Sequence, residues 1–160
     1  MFGKLFCFAS GLAGLVVVPA CFFSPPECEL CGDPDVDVCV PAVGLGPPPD
    51  ACGTFVSQSL GNDAAKGSKA DPRRSLAAVL AAASVGARVY ACGERFDGAV
   101  VIPAGVSLFG ALDCAAGFRY APSGAKTEIA GPAGAVAITF APGKAETLVA
   151  DLQAVAAPAE

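Results

Sequence analysis

The chain has 160 residues, a formal net charge of −5 and no histidine. The charge is unevenly placed, because residues 27–50 hold six acidic side chains and no basic one, whereas residues 51–160 hold nine of each sign. A domain this close to neutral offers no basic surface for a phosphate backbone, so the sequence argues against nucleic-acid binding.

Residues 1–20 have the pattern of a cleavable signal peptide. Lys4 is the only charge before Glu27. The apolar run 5–20 is shorter than the roughly 20 residues that a membrane-spanning helix needs, and no basic residue follows it until Lys66. We therefore predict a signal peptide over 1–20 and export of the remaining chain.

The end of this leader, Val17-Val18-Pro19-Ala20-Cys21, resembles a lipobox, with Pro19 where a small or hydroxyl residue is usual. This pattern predicts a lipid on Cys21, which would attach the protein to a membrane. Phe22 stands where an aspartate would retain a lipoprotein at the inner membrane, so in a host with two membranes we expect an outer-membrane or cell-surface location. The alternative is ordinary cleavage before an unmodified Cys21, giving a periplasmic or secreted protein.

Six cysteines remain when Cys7 and Cys21 are set aside. An even number in an exported chain predicts disulfides, although spacing does not settle their connectivity. The alternative is a zinc site, since Cys28 and Cys31 have the spacing of a ligand pair, but the sequence has no second such pair and no histidine. We expect disulfides and no metal from this set, which is Cys28, Cys31, Cys39, Cys52, Cys92 and Cys114.

Residues 21–53 are rich in proline, cysteine and acidic residues and show no apolar period, which is typical of an extended tether. The domain is predicted over 54–160. It opens with a short strand at 55–57 and a loop dense in turn-forming residues at 61–68.

A helix is predicted near 73–84. Asp71 is the expected N-cap, with Pro72 at the first helical position. The apolar residues Leu76, Val79, Leu80 and Ala83 recur at helical spacing on one stripe, and Gly86 is the expected end.

Short β-type runs follow the helix and are separated by Gly, Pro and Asp. Three of them begin at Val106, Thr127 and Thr147, at nearly equal spacing. Such a regular period predicts a β-solenoid in which these three runs stack as neighbours in one sheet, with a small antiparallel sandwich as the alternative. The runs are 88–92, 99–102, 106–109, 127–130, 135–140 and 147–152.

Several of these segments together resemble right-handed parallel β-helix proteins of the pectate-lyase-like superfamily, in particular the bacterial group often called DUF1565. The opening of that group is matched by Phe55-Val56-Ser57, Gly61-Asn62-Asp63, Gly67-Ser68, Pro72, Ser75-Leu76 and Ala82. Its first coils are similar to Val89-Tyr90-Ala91-Cys92, to residues 100–110, to Asp113-Cys114, to Phe118-Arg119-Tyr120 and to Thr127-Glu128-Ile129-Ala130-Gly131.

The resemblance implies a mainly β fold, a short right-handed parallel β-helix of about three coils with an N-terminal capping α-helix. It places Cys92 and Cys114 on successive turns, so we expect a disulfide between them. The last coil would present an unpaired strand edge, which predicts self-association or docking through residues near 147–155.

Family members that cleave polysaccharides would need a basic group beside calcium-binding carboxylates, or a pair of acids. Each candidate acid has an alternative role as a turn residue or helix cap, because aspartate forms local hydrogen bonds there. A serine or cysteine hydrolase would lack its usual histidine base. We expect no catalytic site and no cofactor from the available groups, which are Asp63, Asp71, Asp97, Asp113, Arg95 and Arg119.

The sequence therefore favours an exported, lipid-anchored envelope protein with a non-enzymatic binding or structural module that contacts a cell-surface glycan or protein. Two alternatives stay open: a relative of polysaccharide lyases or hydrolases, and a truncated remnant of a longer β-helix protein.

Overall fold

The structure, a computed structural model, describes residues 37–44 and 46–156. The predicted signal peptide and the predicted lipid site Cys21 lie outside the described residues, and so do Cys28 and Cys31.

Within the described residues the chain forms one α-helix, one short 3-10 turn and ten strands. The helix α1 spans Leu76–Ala82, and the 3-10 turn at Asp50–Cys52 precedes the first strand. The strands are β1 (Thr54–Val56), β2 (Arg88–Cys92), β3 (Arg95–Asp97), β4 (Val100–Ile102), β5 (Ser107–Asp113), β6 (Arg119–Tyr120), β7 (Thr127–Ala130), β8 (Ile138–Phe140), β9 (Val149–Ala150) and β10 (Leu152–Val155).

The strands form three sheets, and nearly all of their pairings are parallel. The first sheet joins β1, β2, β5 and β9 in parallel, with β6 antiparallel to β5. The second has the order β10-β7-β3, and the third pairs β4 with β8. The chain visits the sheets in a fixed order: β2, β3 and β4, then β5, β7 and β8, then β9 and β10. The protein is therefore mainly β with parallel sheets, as the sequence predicts.

The predicted stacking of the runs at 106–109, 127–130 and 147–152 in one sheet is wrong. Leu108 does pair with Val149, so β5 and β9 are neighbours, but 127–130 lies in the second sheet between β3 and β10. The run at 147–152 is divided at Asp151, whose φ of 58° turns the chain from the first sheet to the second. The equal spacing of these runs predicted the wrong pairing because successive passes of the chain through the three sheets contain different numbers of residues. In the first sheet, the sequence separation between Val89 and its partner Leu108 is less than half that between Leu108 and its partner Val149.

Helix α1 packs over the interior of the first turns, where Leu76 and Leu80 are buried and Val79 is partly buried. Its N-cap is Ser75, whose Oγ accepts a hydrogen bond from the amide of Ala78 (3.1 Å), so the predicted cap at Asp71 is wrong. The helix is also shorter than predicted and ends at Ala82, well before Gly86.

Residues 71–74 do not join the helix because they complete the edge of β1 instead. Arg73 donates its amide to Phe55 O (2.9 Å) and accepts the amide of Ser57 at its own carbonyl (2.9 Å). The segment is thereby held in an extended conformation beside the strand, which removes it from helical geometry.

Strand β5 carries one extra residue opposite β2. Tyr90 pairs with Phe109 and Cys92 with Leu112, and the extra residue places Ala111 at a φ of 54°. The buried hydroxyl of Thr127 forms hydrogen bonds with the backbone at this bulge. It accepts the amide of Ala111 (3.0 Å) and donates to Cys92 O (2.6 Å). An interior polar side chain thus satisfies backbone groups that the ladder leaves unpaired.

Candidate functional site

Side chains of the first sheet alternate between two buried faces. Val89 and Leu108 point into the interior enclosed by the sheets, where they belong to the main core. Tyr90, the next residue after Val89 on β2, points to the outer face and belongs to a second buried cluster. Both faces of this sheet are therefore covered.

Three aromatic rings stack along the outer face in register. Phe55 pairs with Tyr90, and Tyr90 with Phe109, on adjacent parallel strands. Their ring centroids are 4.9 and 5.4 Å apart with near-parallel planes. Phe118 meets Phe55 edge-on at 4.9 Å. These separations fall in the favourable range for aromatic pairs.

The N-terminal part of the described chain covers one side of this stack; we call residues 37–44 and 46–53 the strap. The strap lies within the predicted tether, yet a disulfide closes it between Cys39 and Cys52, with Cα atoms 5.4 Å apart. Val40 and Cys52 pack on the aromatic cluster. Apolar burial and this bond explain why the segment lies on the sheet despite its proline content.

Polar contacts fasten the strap at its first residues. Asp37 forms a two-point ion pair with Arg88 (2.6 and 3.1 Å), and this hydrogen-bonded guanidinium lowers the pKa of the Asp37 carboxyl. Tyr90 donates its hydroxyl to Cys39 O (2.7 Å). Burial raises the pKa of Tyr90 to about 12.

The strap is held at its other end by Lys69. The Lys69 amide donates to an Asp50 carboxylate oxygen (2.9 Å), and its ammonium group donates to Pro48 O (2.8 Å). The strap is thus attached to the domain at both of its described ends.

A second cover follows β5 and is also closed by a disulfide. Cys92 bonds Cys114, with Cα atoms 5.6 Å apart, which is the pairing expected from the family resemblance. The loop that follows returns as β6 and places Phe118, at a φ of 63°, on the aromatic cluster. Both described disulfides therefore fasten segments over the same face.

An apolar groove of about 210 Å³ runs between the strap and the last strand of the first sheet. Tyr120 and Asp151 line it at one side, and the rest of its lining is largely apolar: Val40, Pro41, Ala42, Phe109, Leu148 and Ala150. A neighbouring hollow of about 280 Å³ shares Pro41, Ala42 and Tyr120 with the groove and adds the exposed Arg119.

Tyr120 and Lys126 both donate to the carboxylate of Asp151, at 2.6 and 2.9 Å. These two donors lower the pKa of Asp151, with the hydrogen bond from Tyr120 contributing most. The same bond raises the pKa of Tyr120. The groove thus combines apolar walls and two aromatic rings with one charged group, the Asp151 carboxylate, while Arg119 lines the adjoining hollow. A largely apolar lining with few polar groups is typical of a small-ligand site.

Three of the acids considered as catalytic candidates each accept a hydrogen bond from a backbone amide. Asp63 accepts the amide of Ser75 (2.7 Å), and Asp71 accepts the amide of Lys66 (3.1 Å). Asp113 accepts the amide of Ala116 (3.1 Å).

The remaining candidates lie at strand ends. Asp97 pairs with Arg95 (2.9 Å), one of the two arginines considered as a base, on the exposed surface of the second sheet. Arg119 stands opposite Asp113 in the antiparallel β5–β6 pair, beside the groove. Of the six candidates, only Arg119 lines the groove or its adjoining hollow.

Sequence reasoning missed Glu94, which braces the corner after β1. Its carboxylate accepts the amides of Gln58 (2.6 Å) and Ser59 (3.1 Å) and the hydroxyls of Ser57 (3.1 Å) and Ser59 (2.6 Å). A cleft of about 370 Å³ lies beside it, lined in part by Cys92 and Cys114. The four donors occupy this carboxylate in holding the turn, which gives it a structural role.

Among residues 37–44 and 46–156, no three Cys, Asp or Glu side chains come together in a way that could hold a metal ion. The helix in the same part of the chain is too short to cross a membrane. Comparison with protein-family models, curated proteins and solved structures found no match.

Proposed function

We propose that this chain is an exported, lipid-anchored envelope protein whose domain, a short right-handed parallel β-helix, is a non-enzymatic module that binds a cell-surface glycan. The observation that carries the proposal is that both described disulfides fasten covers over one face of the first sheet. Structural disulfides persist in oxidising compartments and are rare in the cytosol, so this arrangement fits an exported protein.

The order in which the chain passes through the three sheets supports a β-helix. Strands join the first, second and third sheets in turn, and this cycle then repeats. In a parallel β-helix each turn of chain adds one strand to every sheet, and the turns bury their inner faces on one another. The resemblance of residues 54–155 to pectate-lyase-like proteins supports the same fold and a right-handed course.

The binding role draws on the groove beside Tyr120. Sugars have apolar C–H faces and hydroxyl groups at their edges. The Tyr120 ring can pack against such a face, and the Asp151 carboxylate and the Arg119 guanidinium can form hydrogen bonds with the hydroxyl groups. Three of the acids considered for lyase or hydrolase chemistry accept hydrogen bonds from backbone amides. These contacts favour a binding module over an enzyme.

Fatty-acid labelling tests the anchor. Cells that produce the chain with labelled fatty acid are expected to incorporate label into the unaltered protein and into the Cys28→Ser control but not into Cys21→Ser, and the Cys21→Ser protein should leave the membrane fraction. Unchanged membrane retention of Cys21→Ser, with no label in any form, would reject the lipid anchor.

Polysaccharide binding tests the module. The purified chain is expected to cosediment with cell-surface polysaccharide from its host, and Arg119→Ala should weaken this binding. Arg95→Ala removes an exposed arginine that lines neither the groove nor the hollow and serves as the matched control. Release of unsaturated or reducing sugar ends would favour a lyase or hydrolase, and equal binding by both variants would remove the groove from the proposal.

A further inference from the structure

The three strands at one end of the sheets form an open apolar surface. Strands β8, β9 and β10 each pair with a single strand within the described residues, namely β4, β5 and β7. The register gives each inward-facing residue of this last layer a partner in the layer before. The inward-facing residues are Ile138, Phe140, Val149, Leu152 and Ala154, and their partners are Val100, Ile102, Leu108, Thr127 and Ile129.

Burial changes abruptly between these two layers. The partners are at most 3% exposed, whereas Phe140 is 58% exposed, Ala154 is also exposed and the other three are only partly buried. The core therefore extends to this end of the sheets and meets solvent there. We call this end, formed by β8, β9 and β10, the open end.

The opposite end of the same sheets is closed. The outer edge of β1 is bonded to the loop that precedes the helix: Phe55 donates its amide to Gly67 O (2.8 Å), and Arg73 bonds both Phe55 and Ser57. Helix α1 then covers the interior beside β1. The described part of the chain therefore offers no free edge of β1 to receive the open end of another copy, and head-to-tail addition there is blocked.

We propose that the open end is a dimer interface, where two copies of this chain pack end to end about a two-fold axis. A two-fold axis perpendicular to β10 makes the β10 strands of the two copies antiparallel. It places β10, the longest of the three edge strands, against β10 of the second copy. The arrangement closes on itself and buries the same apolar surface of both copies.

The backbone of β10 is suited to this contact. Val155 accepts the amide of Gly131, which directly follows β7 (3.2 Å). Since successive residues of a strand direct their backbone groups to opposite sides, the amides and carbonyls of Leu152 and Ala154 point away from β7. These groups would continue the ladder into the second copy.

The charged side chains at the open end would not repel a second copy. The loop that joins β8 to β9 carries Lys144 and Glu146, both exposed, so this rim of the open end has one charge of each sign. In a two-fold dimer, Lys144 of each copy can approach Glu146 of the other copy. A partner protein whose contacting surface carried charges of only one sign would place a like charge beside one of these two residues. This neutrality and the closed opposite end favour a second copy over another protein.

Sedimentation of the full-length chain carrying Cys21→Ser, which keeps any lipid off the protein, tests the proposal. A monomer–dimer equilibrium is expected, and Phe140→Asp should raise its dissociation constant at least about tenfold, because it places a charge in the apolar contact. Thr139→Asp adds the same charge to the outward side of the same strand and should leave the dimer intact. Ala154→Pro removes an edge donor that β7 does not use and should also weaken the dimer.

Cross-linking provides a readout independent of stability. Gln153→Cys, on the outward side of β10, is expected to give cross-linked dimers with a short bismaleimide, whereas Gln58→Cys, at the closed end, should stay at the level of the unaltered chain. A monomer at every concentration, a dimer insensitive to both Phe140→Asp and Ala154→Pro, or equal cross-linking at both positions would overturn the proposal. Because the lipid plays no part, failure here leaves the proposed anchor and binding role untouched.

Discussion

Tyr90 donates a hydrogen bond of 2.7 Å to the main-chain oxygen of Cys39, joining the middle strand of the aromatic stack to the strap. The ring packs between Phe55 and Phe109 while its hydroxyl reaches the backbone of a segment far earlier in the chain. The same side chain therefore takes part in the sheet and in its cover.

Tyr90 should make the fold sensitive to alkali. Burial raises its pKa to about 12 from an ordinary value of 10.0, so the folded state keeps a proton that the unfolded state releases. The resulting stability is fully present below pH 10 and is lost as the pH rises through about 12. In Tyr120→Phe, where Tyr90 is the remaining tyrosine, an absorbance titration should give a midpoint near 12. A midpoint near 10 would contradict the burial of this ring.

Leu80→Ala should destabilise the domain by roughly 2–5 kcal/mol, because it opens a cavity under helix α1 where Leu80 is fully buried. The measurement is the free energy of unfolding from a urea titration. Leu60→Ala makes the same change at a side chain that is 61% exposed, and it should cost less than about 0.5 kcal/mol. Equal losses in the two variants would show that α1 does not cover the core.

Thr127→Val keeps the shape of a buried side chain but removes the hydroxyl that serves the β5 bulge. The amide of Ala111 would lose its acceptor, so we expect a loss of about 1–3 kcal/mol in the free energy of unfolding. Thr139→Val, at an exposed position of β8, is the control and should be nearly neutral. A neutral Thr127→Val would mean that the bulge is satisfied in another way.

Asp151 should contribute stability that disappears in acid. Hydrogen bonds from Tyr120 and Lys126 lower its pKa in the folded state, so its contribution is present above the pKa of the unfolded chain and is lost as the pH falls through the folded value. Asp151→Asn removes the charge while tolerating the φ of 58°. Thermal melting should show a lower midpoint for the variant at neutral pH and a smaller drop in acid. Asp97→Asn, which breaks an exposed pair, should show neither change.

Peptide mapping without reduction should recover two linked pairs, Cys39 with Cys52 and Cys92 with Cys114. Removing the second pair by Cys92→Ser and Cys114→Ser should cost roughly 3 kcal/mol by the chain-entropy estimate for a loop of this size. Recovery of Cys92 linked to Cys28 or Cys31 would contradict the pairing.

Local pattern predicted individual elements well. The bounds of β2 and β7 agree with the apolar runs 88–92 and 127–130, and the stripe containing Leu76 and Leu80 does face the core. These features depend on residues close together in the chain, so a single sequence contains the signal. Strand β3 was missed because its one apolar residue, Phe96, stands between two charged ones.

It was harder to predict which strands pair with one another. The alternation of side chains predicts which face of a strand is buried but not which sheet the strand joins, and that choice depends on turn lengths that range widely here. The strap illustrates the same limit. Its composition is that of a tether, and only the tertiary contacts of Asp37, Cys39 and Lys69 place it on the sheet.

The Cys39–Cys52 bond also decides how the domain would bear tension. A pull on the chain upstream of Asp37 passes first into Arg88 and Tyr90, which are anchored in β2, an inner strand of the first sheet. It then crosses the disulfide directly to Cys52, which only one glycine separates from β1, so that residues 40–51 carry no load. The force therefore enters β1 and β2, which are paired in the first sheet, and the loop closed by the disulfide is not stretched.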